Sequence, residues 1–202
     1  NNNYKKFADI GACLGFHGII FSKYHSNLVN FFEPDPNTYE MLCEYIMLNK
    51  LKNYNCYNKA VYSNEGNITF NRLDENNTGS HIEGSKDNVY GSVSKINVST
   101  ISFDSILKEK YDLVKLDIEG AELEVFKNLN LNDNKKIPDI YIEIHNKQAS
   151  EVIYEVLVNK LNLNIFSQNL GWSKLTDKND MPYHYSHGSI MVSNKNYMNW
   201  GI

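Results

Sequence analysis

Short apolar runs and helical periods take turns along this chain, and that alternation constrains its fold more than any other feature. Residues 6–10, 28–32, 54–62, 113–117 and 140–144 have the length and composition of buried strands. Between them apolar residues recur at helical spacing, as in Tyr39, Leu42, Cys43, Ile46 and Met47, and again in Val152, Ile153, Val156, Leu157 and Leu161. Strands separated by helices cannot pair as hairpins and need crossovers. The expected architecture is therefore an α/β domain with a mostly parallel sheet and helices on both faces. Pro34 and Pro36 end the second strand, with Asn37 or Thr38 as cap of the following helix, and Ser102 caps a short helix over 103–108. Further helices are expected over 121–129 and 150–161, and the last strands over 163–167 and 189–192.

At 202 residues and 42% hydrophobic composition, the chain suits one domain with a single large core. Its formal net charge is −4, and Arg72 is the one arginine among 20 basic residues. A nucleic-acid binder would show a basic stripe with guanidinium forks, so DNA and RNA are not expected as partners. No apolar run approaches the ~18 residues of a membrane span, and no secretory leader is visible. Cys13, Cys43 and Cys56 are odd in number and lack Cys-x-x-Cys spacing, which argues against a disulfide framework or zinc knuckle. A cytoplasmic, reducing location is the expectation. The opening Asn1-Asn2-Asn3 without Met suggests a domain of a longer chain. From 64 to 93 the alternation breaks: a short strand at 68–70 is followed by a polar, glycine-containing stretch over 74–87, after which residues 93–101 alternate as a strand would. This insertion is a candidate substrate loop, with Ser80 and His81 as candidate acceptor contacts.

Asp9-Ile-Gly11-Ala12-Cys13-Leu-Gly15 lies between the first strand and the first helix, where nucleotide-type ligands bind in open α/β sheets. A dinucleotide fingerprint needs G-x-G-x-x-G, and Cys13 stands where its second glycine would be. The turn suits a ligand without pyrophosphate, whose amine meets Asp9 and whose carboxylate meets the helix amides, with Gly11 leaving room for its methionine arm. Glu33 ends the second strand 22 residues after Gly11, close to the offset of an acid that accepts both ribose hydroxyls. Pro34 follows it, and Ala60 and Val61 would flank the adenine. S-adenosylmethionine is such a ligand. A nicotinamide-dependent oxidoreductase and a silent glycan-binding or scaffolding module are the competing readings.

Asp9-Ile-Gly-Ala-Cys-Leu-Gly15, Phe32-Glu-Pro-Asp-Pro36, Asn77-Thr-Gly-Ser80, Ser102-Phe-Asp104, Lys115-Leu-Asp-Ile-Glu-Gly-Ala-Glu122 and Tyr141-Ile-Glu-Ile-His145 together resemble the FkbM family of S-adenosylmethionine-dependent methyltransferases. The resemblance implies a class I methyltransferase fold, Rossmann-like, with a seven-stranded sheet whose last strand is antiparallel. It also implies O-methylation, often of sugar or polyketide hydroxyls. Cys13 stands where the family usually has Asn, and the helix that often precedes the first strand is missing.

In such a fold the transferable methyl faces the ends of the fourth and fifth strands, which carry Asp117 and Glu119, then Glu143 and His145. Period two puts each pair on one strand face. Two chemistries compete for this cluster. His145 could act as general base, oriented by Glu143 or Asp117. Alternatively Asp117, Glu143 and His145 could hold Mg²⁺ or Mn²⁺ to acidify the acceptor hydroxyl. Asp117 is also expected near the cofactor. Glu119, the 183–187 segment with His187, and Trp172 are candidate acceptor contacts, and His17 could touch the cofactor carboxylate.

Overall fold

The computed structural model describes residues 4–25, 28–73, 79–85, 92–130 and 137–196. The main sheet begins with β1 (Lys6–Ile10), β2 (Leu28–Phe32) and β3 (Tyr54–Tyr57). It continues with β8 (Leu113–Leu116), β9 (Asp139–Glu143), β10 (Asn164–Ser167), β11 (Ser173–Lys174) and β12 (Ser189–Ser193). Its order is β11-β10-β12-β9-β8-β1-β2-β3. The run from β3 to β9 is parallel, and β12 inserts antiparallel between β9 and β10. The antiparallel last strand is as expected, while the two-residue β11 makes the sheet eight-stranded rather than seven-stranded. Because β8 and β1 are neighbours although distant in sequence, the connections reverse direction there, and a crevice opens at their C-terminal ends.

Helices α1 (Phe16–His25) and α2 (Pro36–Leu48) cover one face, over Phe7, Val29, Phe31, Leu42 and Ile46. On the other face lie α3 (Phe103–Lys108), α4 (Glu122–Lys127) and α5 (Lys147–Tyr154), over a larger core that includes Ile10, Leu116, Phe126, Ile142 and Ile153. The cap of α2 is Asp35, not Asn37 or Thr38: its Oδ1 accepts from the Asn37 and Thr38 amides at 2.8 and 3.1 Å, with Pro36 fixing the first helical φ. Ser102 does cap α3, accepting from the Ser105 amide at 3.1 Å. The expected helix over 150–161 starts earlier, under the Asn146 cap, and its second half (Glu155–Lys160) is π-helical. No described helix is long and apolar enough to cross a membrane.

The insertion departs most from expectation. The strands expected at 68–70 and 93–101 form within β5 (Gly66–Leu73) and β7 (Val93–Ser102), but with β4 (Ala60–Tyr62) and β6 (His81–Ile82) they make a second sheet of order β4-β7-β5-β6. The third strand expected over 54–62 is therefore two strands in two sheets. The break falls at Asn58, whose side-chain amide turns to donate to the Glu33 and Pro34 carbonyls at 2.9 and 3.0 Å. Half of the polar stretch over 74–87, including Asn77 and Thr78, lies outside the described residues.

Candidate active site

Gly11 turns the chain out of β1 with φ +67°, and its amide and that of Ala12 both donate to the Phe32 carbonyl at 3.0 Å. A Cβ on Gly11 would sit 1.7 Å from the Asp117 carbonyl oxygen. The space beside Gly11 is thus occupied by the backbone after β8, and the expectation that its missing side chain serves the cofactor's methionine arm is corrected. Gly15, at φ +77°, is pressed against Leu42 and Phe31.

Asp9 is fully buried rather than open to a ligand amine. Its Oδ2 accepts from the Gly18 amide at 2.8 Å, inside the first turn of α1, and its Oδ1 is 3.6 Å from Lys115 Nζ. Lys115, 5% exposed, also donates to the Gly11 carbonyl at 2.7 Å and pairs with Asp117 Oδ2 at 3.2 Å. Burial pulls its pKa down, but the neighbouring Asp9 and Asp117 carboxylates outweigh this and raise it. This ammonium ties β1, the glycine turn and β8 together. Sequence reasoning did not single it out, though a lone lysine within the apolar run 113–116 was the available signal.

Glu33 is buried at the end of β2, where its two oxygens accept from the Cys13 amide at 2.8 Å and the Asp35 amide at 3.0 Å. Burial pushes its carboxyl up to about 7 despite those bonds. It lines a cavity between the two sheets. Gly11, Cys13, Phe32 and Pro34 form the wall on the main-sheet side. Ala60, Val61, Phe70 and Ile82 from the second sheet face them, and Ser80 and Lys59 lie at the cavity. Asp117 and Glu119 close its far end. Ser80 therefore reaches the cavity, whereas His81 is 1% exposed and held inside the small sheet by Asn71 and the Gly79 carbonyl.

At that far end the strand-end cluster converges. His145 Nε2 lies 3.5 Å from Glu119 Oε2, 3.6 Å from Asp117 Oδ1 and 3.9 Å from Glu143 Oε1. Neither strand persists as far as Glu119 or His145. Glu119 is instead turned in by a left-handed backbone (φ +55°), which is braced where Ser85 Oγ donates to its carbonyl at 3.1 Å. The closest partner of His145 is Glu122, a wholly buried acid in the first turn of α4, whose Oε1 faces Nδ1 at 2.8 Å. Nothing local in the sequence linked Glu122 to a histidine 23 residues on. Burial works against the charged imidazole, but Glu122, Glu119 and Asp117 prevail and push His145 up to about 9. Burial first, then Asp117, raises Glu143.

The remaining candidates lie apart from the cavity lining. His17 is exposed on α1. His187 stacks edge-on with Tyr183 at 4.3 Å, just before β12, and the pairing of Ser189 with Glu143 puts that segment at the C-terminal end of β9. Trp172 packs against Tyr141 of β9 at 6.2 Å.

This geometry can be set beside known proteins. The chain is 30% identical over 169 residues to the hexuronic acid methyltransferase AglP of Haloferax volcanii, an alignment that takes in 76% of this chain and 65% of that protein's length. Among solved structures it is similar to a precorrin-6y C5,15-methyltransferase from Geobacter metallireducens (TM-score 0.49, 10% identity, 94% of this chain and 78% of that one). It is also similar to a ribosomal protein L11 methylase from Lactobacillus delbrueckii subsp. bulgaricus (TM-score 0.49, 12% identity, 95% and 70%). The family model of the methyltransferase FkbM domain matches residues 9–187. With that match covering most of its length, the chain belongs to the FkbM methyltransferase family.

Proposed function

We propose that this chain transfers the methyl group of S-adenosylmethionine to a hydroxyl oxygen of a small molecule or glycan, with a sugar as the favoured acceptor. One observation carries the reading: one cavity is lined both by Glu33 and by Asp117 and Glu119 of the His145 cluster. The residues present fit the cofactor. Glu33 offers carboxylate lone pairs beyond the two its backbone partners use, for ribose hydroxyls. Pro34, Ala60, Val61 and Phe70 offer apolar faces for a purine. When bound, S-adenosylmethionine supplies an electrophilic methyl on a sulfonium that departs as a neutral thioether.

The protein's task is then to align an acceptor oxygen and take its proton. Glu122 is fully buried, and its Oε1 also accepts from the Ile118 amide at 3.3 Å, so it acts on Nδ1 as a fixed acceptor. That leaves Nε2 directed at Asp117, Glu119 and Glu143 as the atom that receives a proton. With a pKa of about 9, His145 holds that proton at neutral pH in the protein alone. Positive charge brought into the cluster weakens this hold by ordinary electrostatics, so His145 becomes a base once a second cation stands beside it.

A divalent ion is the second reading, favoured by a specific arrangement. Asp117, Glu143 and His145 each offer one ligand atom, all within 4.8 Å of one another, and Nδ1 bonded to Glu122 is how a carboxylate orients a metal-ligating histidine. Those three residues would hold the ion, whose chemistry would be to acidify the acceptor hydroxyl. The oxygen-rich set suits Mg²⁺, and the imidazole makes Mn²⁺ the better match.

Calorimetry with S-adenosylmethionine and with NAD, followed by mass spectrometry of glycans for an added methyl, tests the reading. Tight NAD binding with no response to S-adenosylmethionine would end it. Loss of transfer in a chelator, restored by Mn²⁺, selects the metal. Indifference to chelator, with His145→Ala slowed about 10²- to 10⁴-fold, selects the base.

A further inference from the structure

We propose that the acceptor is a pyranose ring seated on the Tyr141–Trp172 pair with its reacting hydroxyl toward Glu143, in a subsite that takes neutral or amine-bearing sugars and rejects uronic acids. The proposal rests on the methyl-transfer reading and names the substrate class of that site.

Tyr141 and Glu143 are two apart on β9, so both project from the face that also carries Lys115, which pairs with Tyr141 in register. Trp172 packs on the Tyr141 ring at 6.2 Å, and the tyrosine hydroxyl donates to Ser189 Oγ at 2.7 Å. Ser189 lies opposite Glu143. Two aromatic rings and a carboxylate thus share one patch, braced from beneath by the buried Ser189, with apolar ring faces for the C–H side of a sugar and carboxylate oxygens for its hydroxyls. Trp172 is held there at φ +63°, a left-handed conformation that a bulky residue adopts only when its surroundings impose it.

Charge sets the class. His145 is surrounded by Asp117, Glu119, Glu122 and Glu143. Lys115 is no counterweight for an acceptor, because it is buried and donates inward to Gly11 and Asp117. Glu119 and Glu143, whose side chains stay 28% and 32% exposed, can accept from a hydroxyl or ammonium but not from a carboxylate, which has nothing to donate at neutral pH. A divalent ion on Asp117, Glu143 and His145 would still leave carboxylates in excess.

The test is saturation-transfer NMR on the whole chain at pH 7, with methyl α-D-glucoside, methyl α-D-glucosaminide and methyl α-D-glucuronide, each with and without S-adenosylhomocysteine. The glucoside and glucosaminide should bind at least tenfold more tightly than the glucuronide. Trp172→Gly removes the ring and suits the left-handed backbone, so it should abolish glycoside binding while calorimetric affinity for S-adenosylhomocysteine is unchanged. Equal or tighter glucuronide binding, retained binding in Trp172→Gly, or no glycoside binding at all would overturn the proposal. Absence of S-adenosylhomocysteine binding would instead overturn the methyl-donor reading, and the titrations without it would still decide this one.

Discussion

Glu33 joins two duties in one buried carboxylate: it accepts from two backbone amides and lines the cofactor cavity. Glu33→Ala should weaken S-adenosylmethionine binding by about 1–3 kcal/mol, the usual cost of leaving buried hydroxyl partners unpaired. A folded variant with unaltered calorimetric affinity would refute the ribose assignment. Gly11→Ala, by contrast, should destabilise the fold itself by at least about 3 kcal/mol in urea titrations, because its Cβ meets a carbonyl and its φ is left-handed. His145 makes a pH prediction. Its folded pKa of about 9 lies above the ordinary 6.5, so its stabilising contribution is fully present below pH 6.5 and disappears as pH rises through 9. With a side chain only 4% exposed, that contribution is about 2–4 kcal/mol. The stability gap between the native chain and His145→Gln should therefore narrow from pH 6.5 to 9.5. Glu33, raised to about 7 from 4.5, also loses stability with rising pH, but across 4.5 to 7, so the two windows separate.

At the scale of elements, Asp35 is a direct probe of how α2 begins. Asp35→Ala should cost about 1 kcal/mol of unfolding free energy, as the loss of an N-cap does, while Asn37→Ala should cost much less. The sequence pattern led to Asn37 or Thr38 because polar residues there satisfy a generic cap rule, and it missed that Pro36 is itself the first helical residue, so the start falls two or three residues earlier. Most strands of the main sheet were legible as short apolar runs bounded by turn residues; the two-residue β11 was not. In the second sheet β7 and the middle of β5 were legible too, but not their pairing into a sheet of its own, since they pair with each other and with short partners. In the site, Asp117, Glu143 and His145 could be brought together from the strand order that the family resemblance implies, although the strands themselves end at Leu116 and Glu143. Glu122 and Lys115 could not, because what makes them matter is burial beside a charge distant in sequence. His81 failed in the opposite way: a polar loop suggested a ligand contact, and strand pairing took the side chain inward.

For the molecule as a whole, the cavity's position between two sheets makes ligand binding a global stability event. S-adenosylhomocysteine at a hundred times its dissociation constant should add about 2.7 kcal/mol, raising the melting temperature by about 5–10 °C; a melt unmoved by millimolar ligand would show that the folded chain does not bind it. The same layout has a consequence for how the protein can diversify. The cofactor walls come from residues 11–82 and the proton-handling cluster from 117–145, whereas the Trp172 and His187 segments fall between β10 and β12 at the far edge of the sheet. Chain order therefore follows division of labour. The stretch 168–188 can be exchanged with that of a relative as a cassette, crossing two strand ends and none of the cofactor wall. Such chimeras should inherit their acceptor preference from the donor of the cassette and their methyl-donor affinity from the recipient.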